Sequence, residues 1–282
     1  MFDQAAELRN LVLQVSKGGG PSLPGPRIVA FSGGKGGVGA TTVAVNTSVA
    51  LVNHGLRVVL VDVDMEKADI AALCNLPERG HVGDILSARR DIHEVLERGP
   101  GGIQIVPGVW APEHEIPFTE RSQQRLLKQI QSLGRHADIV LVDTGNGSSE
   151  TTRRVWMAAD EVTVVTTPDS VSVMDSYATI KKIVGVGADP AMIHVVVNNA
   201  DVREATEVFR RIRQSCRRFL GKETGFLGCV PRDDGVVAAA QLGEPLVLAA
   251  PEEETAKAYQ NIAAALVTAG AAARSSSATA IA

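Results

Sequence analysis

Nine consecutive residues carry the most legible chemistry in this sequence: Gly34-Lys35-Gly36-Gly37-Val38-Gly39-Ala40-Thr41-Thr42. Glycines at this density let successive backbone N–H groups curl around phosphate oxygens. A helix that starts where the loop ends adds unpaired donors and the positive end of its dipole. The motif G-x-x-x-x-G-K-[ST] works in this way, and its hydroxyl residue, here Thr41, sits at the position that ligates Mg²⁺. The context agrees, because the apolar run Ile28-Val29-Ala30-Phe31 comes first and a helix-compatible segment, Thr42 to Asn53, follows. One position departs from the motif. Ala40 stands where the lysine that reaches the β- and γ-phosphates is expected, and the loop carries Lys35 at its second position instead. Losing one charge-assisted phosphate contact costs about 1.5–3 kcal/mol, which weakens affinity roughly ten- to a hundredfold but leaves the backbone cradle in place.

Two groups of carboxylates belong with this loop. Val61-Asp62-Val63-Asp64 closes an apolar run, which places both acids at the carboxyl edge of a sheet, where doubly wound folds bind ligands. The run Asp138-Ile139-Val140-Leu141-Val142-Asp143 ends in an acid suited to holding Mg²⁺ through water, and a glycine-containing segment, Gly145-Asn146-Gly147, follows it.

The elements that must position these groups read as strand then helix, repeated. Candidate strands are 28–31, 58–61, 103–106, 139–142, 162–165 and 193–197, short and rich in Val and Ile with little alternation, as expected of parallel strands buried on both faces. Helical segments separate most of them, so the predicted fold is α/β, a doubly wound, mostly parallel sheet in one domain over 27–268. Ahead of it, residues 3–16 read as an amphipathic helix with Ala5, Leu8, Val12 and Val15 at helical spacing, and 17–26 as a Gly- and Pro-rich linker. The Ala- and Ser-rich residues 269–282 are expected to form a disordered tail.

Composition bounds the function. A net charge of -4 argues against a surface built to hold nucleic acid. Six arginines, Arg203, Arg210, Arg211, Arg213, Arg217 and Arg218, occupy 203–220, but Ala205, Val208, Phe209, Ile212, Cys216, Phe219 and Leu220 form an apolar stripe there, which makes the arginines the solvated side of an ordinary helix. Cys74, Cys216 and Cys229 are scattered without a Cys-x-x-Cys pair, which suggests neither disulfides nor an iron–sulfur site and fits a reducing cytoplasm.

The loop with its early lysine resembles the deviant Walker-A class of P-loop ATPases, the family of MinD, ParA and the flagellar-number regulator FlhG. That resemblance implies ATP or ADP with Mg²⁺ as ligands, and an ATP-dependent homodimer in which Lys35 reaches the partner's phosphates. It further implies that Asp64 positions or activates the attacking water and that Asp62 supports the metal's water shell beside Thr41 and Asp143. By the same match Asn198 reads adenine, and the loop Pro231-Arg232-Asp233 closes the other side of the base. Members with both lysines are the fully active ones, so Ala40 bears on hydrolysis more than on binding.

Within the family, Asp3-Gln4-Ala5-Ala6-Glu7-Leu8-Arg9 matches the D-Q-A-x-x-L-R element that FlhG proteins place ahead of the ATPase domain to engage the signal-recognition-type GTPase FlhF. Asp3, Gln4, Ala5, Leu8 and Arg9 thus become candidate partner-binding residues on a tethered amphipathic helix. The resemblance implies a cytoplasmic protein, with peripheral placement at the inner membrane or pole as in relatives. The tail offers little to insert into a bilayer, which argues against membrane attachment. The variant Gly39-Ala40-Thr41-Thr42 is also similar to the CpaE and TadZ localisation proteins, so the alternative is a non-hydrolysing nucleotide-binding scaffold for pilus or polar localisation.

Overall fold

A computed structural model describes residues 25–77, 79–109, 118–147, 149–187 and 193–279. The predicted helix over 3–16, with Asp3, Gln4, Ala5, Leu8 and Arg9, lies outside the described residues, as does most of the 17–26 linker.

The strands are β1 (Arg27–Gly33), β2 (Val58–Asp62), β3 (Glu97–Arg98), β4 (Gln104–Val106), β5 (Ile139–Asp143), β6 (Glu161–Thr166), β7 (Ile193–Asn198) and β8 (Gly225–Val230). They form a single sheet in the order β3-β4-β2-β5-β1-β6-β7-β8. Every pairing is parallel except that of β3, a two-residue strand antiparallel to β4. The longer helices are α1 (Ala40–Asn53), α2 (Glu120–Ser132), α3 (Glu150–Ala158), α4 (Ser170–Gly185), α5 (Val202–Leu220), α6 (Asp234–Gln241) and α7 (Glu254–Thr279).

Successive residues of one strand enter different cores. Ala30, Val59, Val61, Val140 and Val142 belong to one apolar cluster, while Val29, Phe31, Leu60 and Leu141 belong to another. This two-faced burial is why the sequence shows continuous Val and Ile runs instead of alternation.

Four sequence expectations need correction. Strand β8 does not stand out in the sequence because Gly225 and Gly228 interrupt its apolar pattern, and a bulge opposite Val195 and Val196 shifts its register. Strand β3 is too short and too charged to announce itself. Helix α7 continues to Thr279, so 269–279 are helical where a disordered tail was expected; alanine has the highest helix propensity, and the low-complexity composition hid it. In α5 the buried residues are Ala205, Val208, Ile212 and Cys216, but Phe219 is 66% exposed and leaves the predicted stripe. Arg210, Arg211, Arg213, Arg217 and Arg218 all face solvent as expected, with Arg213 and Arg217 both paired to Glu223.

One polar tie crosses the far edge of the sheet. Glu161 at the start of β6 is only 1% exposed and accepts from Arg27 of β1, while His194 Nε2 of β7 lies 3.1 Å away. Arg27 also donates to the Leu266 carbonyl of α7 at 2.7 Å, so one charged cluster joins three strands and a helix.

Candidate functional site

Strand order assembles the site. Strand β5 lies between β2 and β1, and parallel register sets Asp62 opposite Asp143, which itself pairs with Phe31, three residues before the glycine loop. Neighbouring strands are about 4.8 Å apart, so two carboxylates and a phosphate-type loop meet at one carboxyl edge.

The loop has the backbone its glycines suggest. Gly37 and Gly39 have φ of 82° and 84°, and a Cβ on Gly36 or Gly37 would meet nothing within 4 Å, which leaves an open concave surface. Helix α1 begins at Ala40 with Gly39 as its N-cap, no side-chain cap and no acid in its first turn. Helices α2, α3, α4 and α5, by contrast, are capped by Thr119, Ser149, Asp169 and Asp201. The first-turn N–H donors of α1 are thus left for an anion. Ala40 itself is buried at 7% exposure, packed in a core cluster. Thr41 and Thr42 are partly exposed beside it.

The acids occupy distinct environments. Burial pushes the Asp62 carboxyl well above the usual range, and the neighbouring Asp143 charge adds to this. Asp62 accepts from the backbone N–H of Asp64 at 3.0 Å and of Ile70 at 3.3 Å. Burial likewise raises Asp143, to about 6, although the Thr41 hydroxyl and the Gly145 N–H oppose that rise. Its Oδ1 accepts from Gly145 at 3.1 Å, while Oδ2 is buried with no hydrogen-bond partner. Among the described residues no group of three or more His, Cys, Asp or Glu could hold a metal alone. A hydroxyl next to an unsatisfied carboxylate oxygen instead suits Mg²⁺, which keeps several waters and takes phosphate oxygens as further ligands.

Asp64 Oδ1 accepts from the Glu66 and Lys67 amides at 2.9 and 3.0 Å, and its carboxylate lies against Gly145, where any Cβ would overlap it. The two acidic loops also touch through Asn146 Nδ2, which donates to Glu66 Oε2 at 3.0 Å. Asn198 Nδ2 donates to the Val38 carbonyl at 2.8 Å, so this side chain buttresses the glycine loop. Register pairs Asn198 with Val230, which brings Pro231 next to it, and Asp233 caps α6 by accepting from Gly235 at 2.7 Å.

Lys35 is held within its own chain. Its Nζ lies 3.0 Å from Asp169 Oδ1. A hydrogen bond from Thr167, the Ser172 amide and Lys35 together lower the Asp169 carboxyl to about 2. Asp169 is 134 residues from Lys35, and no local signal in the sequence links them. Ser32, Thr144 and Trp156, which hydrogen-bond beneath the site, were missed for a similar reason, since each reads as ordinary core.

Comparisons with known proteins agree with this architecture. Residues 26–267 match the family described as ParA: NUBPL iron-transfer P-loop NTPase. The chain is 30% identical to the antiactivator FleN of Pseudomonas aeruginosa, over 84% of this chain and 85% of that protein. It is 28% identical to the flagellum site-determining protein YlxH of Helicobacter pylori, over 64% of this chain and 62% of that one. The septum site-determining protein MinD of Pyrococcus horikoshii, solved with Mg-ADP, superposes with a TM-score of 0.70 at 23% identity, covering 84% of this chain and 94% of that structure. An open helix N-terminus behind a glycine loop, flanked by acids on the adjoining strands, is the arrangement those matches lead one to expect, and the chain belongs to the ParA family of P-loop NTPases.

Proposed function

We propose that the protein is an ATP- and Mg²⁺-binding dimeric switch of the FleN and FlhG type, which regulates flagellar number or placement by engaging a flagellar GTPase through Asp3–Arg9. The observation that carries nucleotide binding is the uncapped N-terminus of α1 behind Gly34–Gly39, with Thr41 and the unsatisfied Asp143 Oδ2 alongside. The flagellar branch is supported by the relatives FleN and YlxH and by the N-terminal sequence element. The iron-transfer activity in the family description finds no support in the cysteines, since Cys74 and Cys216 are buried in different core clusters and Cys229 lies on β8.

In this reading Lys35 leaves Asp169 to compensate phosphate charge across a nucleotide-bound dimer, and without a lysine at position 40 each protomer binds its own nucleotide mainly through backbone donors and Mg²⁺. Substituting Ala40→Lys is therefore expected to tighten Mg·ATP binding about ten- to a hundredfold in a calorimetric titration. Unchanged affinity would show that the missing lysine is not what limits the site.

The N-terminal branch assignment has its own test. Deleting residues 1–16 is expected to abolish stimulation of a purified FlhF-type GTPase while leaving nucleotide affinity intact; full stimulation by the truncated chain would rule the assignment out. A second reading, a non-hydrolysing scaffold, is favoured by Ala40 alone, and it requires nucleotide binding with no phosphate release.

A further inference from the structure

Strand β8 closes one edge of the sheet, with α5 packed in the core on one face and α7 in the core on the other. Between the first turns of these two helices runs an open groove of about 750 Å³, lined in part by Val202, Phe226, Cys229 and Ala258. Val202 is 71% exposed and Phe226 39%, and Phe226 is held by stacking on Phe209 with ring centroids 4.9 Å apart. Covering this apolar wall removes it from water, which is favourable.

The groove suits a helix and not a strand. Register along β8 passes from Phe226, opposite Val195, to Gly228, opposite Val196, which leaves Leu227 as a bulge. A bulged edge lacks the even ladder of donors and acceptors that an added strand pairs with. Charge narrows the occupant further. Arg203 on the α5 rim and Glu254 on the α7 rim have no ion-pair partner among the described residues, so a fitting helix carries both signs beside an apolar stripe.

One such segment belongs to the chain itself. Residues 3–16 place Ala5, Leu8, Val12 and Val15 at helical spacing, with Asp3, Glu7 and Arg9 elsewhere. The tether is long enough. The described chain begins at Gly25, and Arg27 donates to the Leu266 carbonyl of α7 at 2.7 Å. Ala258, in the groove, lies about 12 Å from Leu266 along the same helix, at about 1.5 Å per residue. Residues 17–24 span up to about 26 Å when extended, more than this separation.

We infer that the groove between α5 and α7 is the docking site of residues 3–16 of the same chain, bound as an amphipathic helix with Leu8 and Val12 against Val202 and Phe226. While docked, that apolar face is unavailable to any other protein, so the groove competes with the partner that Asp3–Arg9 engages. The competition rests on the GTPase reading above; the docking does not.

The test follows alkylation of Cys229 by iodoacetamide in the full chain, with peptide mapping by mass spectrometry to separate it from Cys74 and Cys216. Those two are buried and should stay unmodified, which reports an intact fold. With about nine-tenths of the molecules docked, only the remaining tenth reacts, so Leu8→Asp with Val12→Asp is expected to speed Cys229 modification about tenfold. A synthetic peptide of residues 1–16 added in excess to that variant is expected to restore the protection. Protection of the natural chain should persist on tenfold dilution, as an intrachain contact requires. Unchanged modification in the variant overturns the docking and leaves the GTPase reading standing. Protection that disappears on dilution assigns the groove to a second copy and overturns it too. Should the double variant lose its fold, Val202→Asp, at an exposed side chain, is expected to give the same increase and decides instead. A chain that shows these changes but fails to stimulate the GTPase keeps the docking and loses only the competition.

Discussion

In a phosphate-release assay with saturating Mg·ATP, Asp64→Ala is expected to lose about 10²- to 10⁴-fold in turnover, the range typical of removing a group that positions or deprotonates a nucleophile. The geometry explains why the loss should fall on rate more than on affinity. Asp64 Oδ1 is committed to the Glu66 and Lys67 amides, which fixes the carboxylate at the tip of the β2 loop, and its other face rests on Gly145. It therefore sits at the junction of the two acidic loops, while the phosphate cradle is built from the backbone of 34–42 and survives the change. Phosphoryl transfer depends on placing the attacking water and compensating charge, so a carboxylate at this junction contributes mainly to the reacting geometry. Affinity for Mg·ATP, measured in parallel, is expected to change less than tenfold. Equal turnover in the variant would remove Asp64 from the reaction, and no turnover in the natural chain despite bound nucleotide would favour the scaffold reading.

Much of this site is legible in the sequence because its parts are local. The glycines of 34–39, Thr41 and the acids ending β2 and β5 each announce their backbone setting within a few residues, and the parallel sheet then brings Asp62 and Asp143 into register. What escaped notice depends on distant pairing. The hold of Asp169 on Lys35 and the Trp156–Ser32–Thr144 chain join segments more than 100 residues apart, and a buried tryptophan or serine looks like core whether or not it carries a hydrogen bond to the site. Edge strand β8 was invisible because a bulged, glycine-containing strand lacks the uniform Val and Ile run that marks the central ones. Helix α7 past residue 268 was misread from its Ala and Ser content, which is as compatible with helix as with disorder. Glu66 meets Asn146 across the two loops, a pairing that neither residue's neighbours could suggest.

At neutral pH, Glu161→Gln is expected to cost about 3 kcal/mol of stability, because removing one partner of a buried ion pair leaves the other charge uncompensated. Arg27, with a side chain only 11% exposed, would keep its carbonyl contact at Leu266 but lose the carboxylate. For a domain of this size that cost corresponds to a fall in Tm of roughly 10 °C. Burial alone would raise the Glu161 carboxyl, yet the hydrogen bond with His194 and the Arg27 charge outweigh burial and hold it below the ordinary glutamate value. A carboxylate whose pKa is depressed by folding contributes stability that is fully present above its unfolded pKa, about 4.3, and is lost as pH falls through the lower folded value. The difference between natural and Glu161→Gln chains in urea denaturation should therefore be largest near pH 7 and shrink progressively below about pH 4. A difference that stays constant down to pH 3 would show that shape, not charge, accounts for the effect. Replacing both partners, Arg27→Leu with Glu161→Leu, separates the same alternatives from another side, since an apolar pair at this position leaves no buried charge unpaired and should cost less than Glu161→Gln alone.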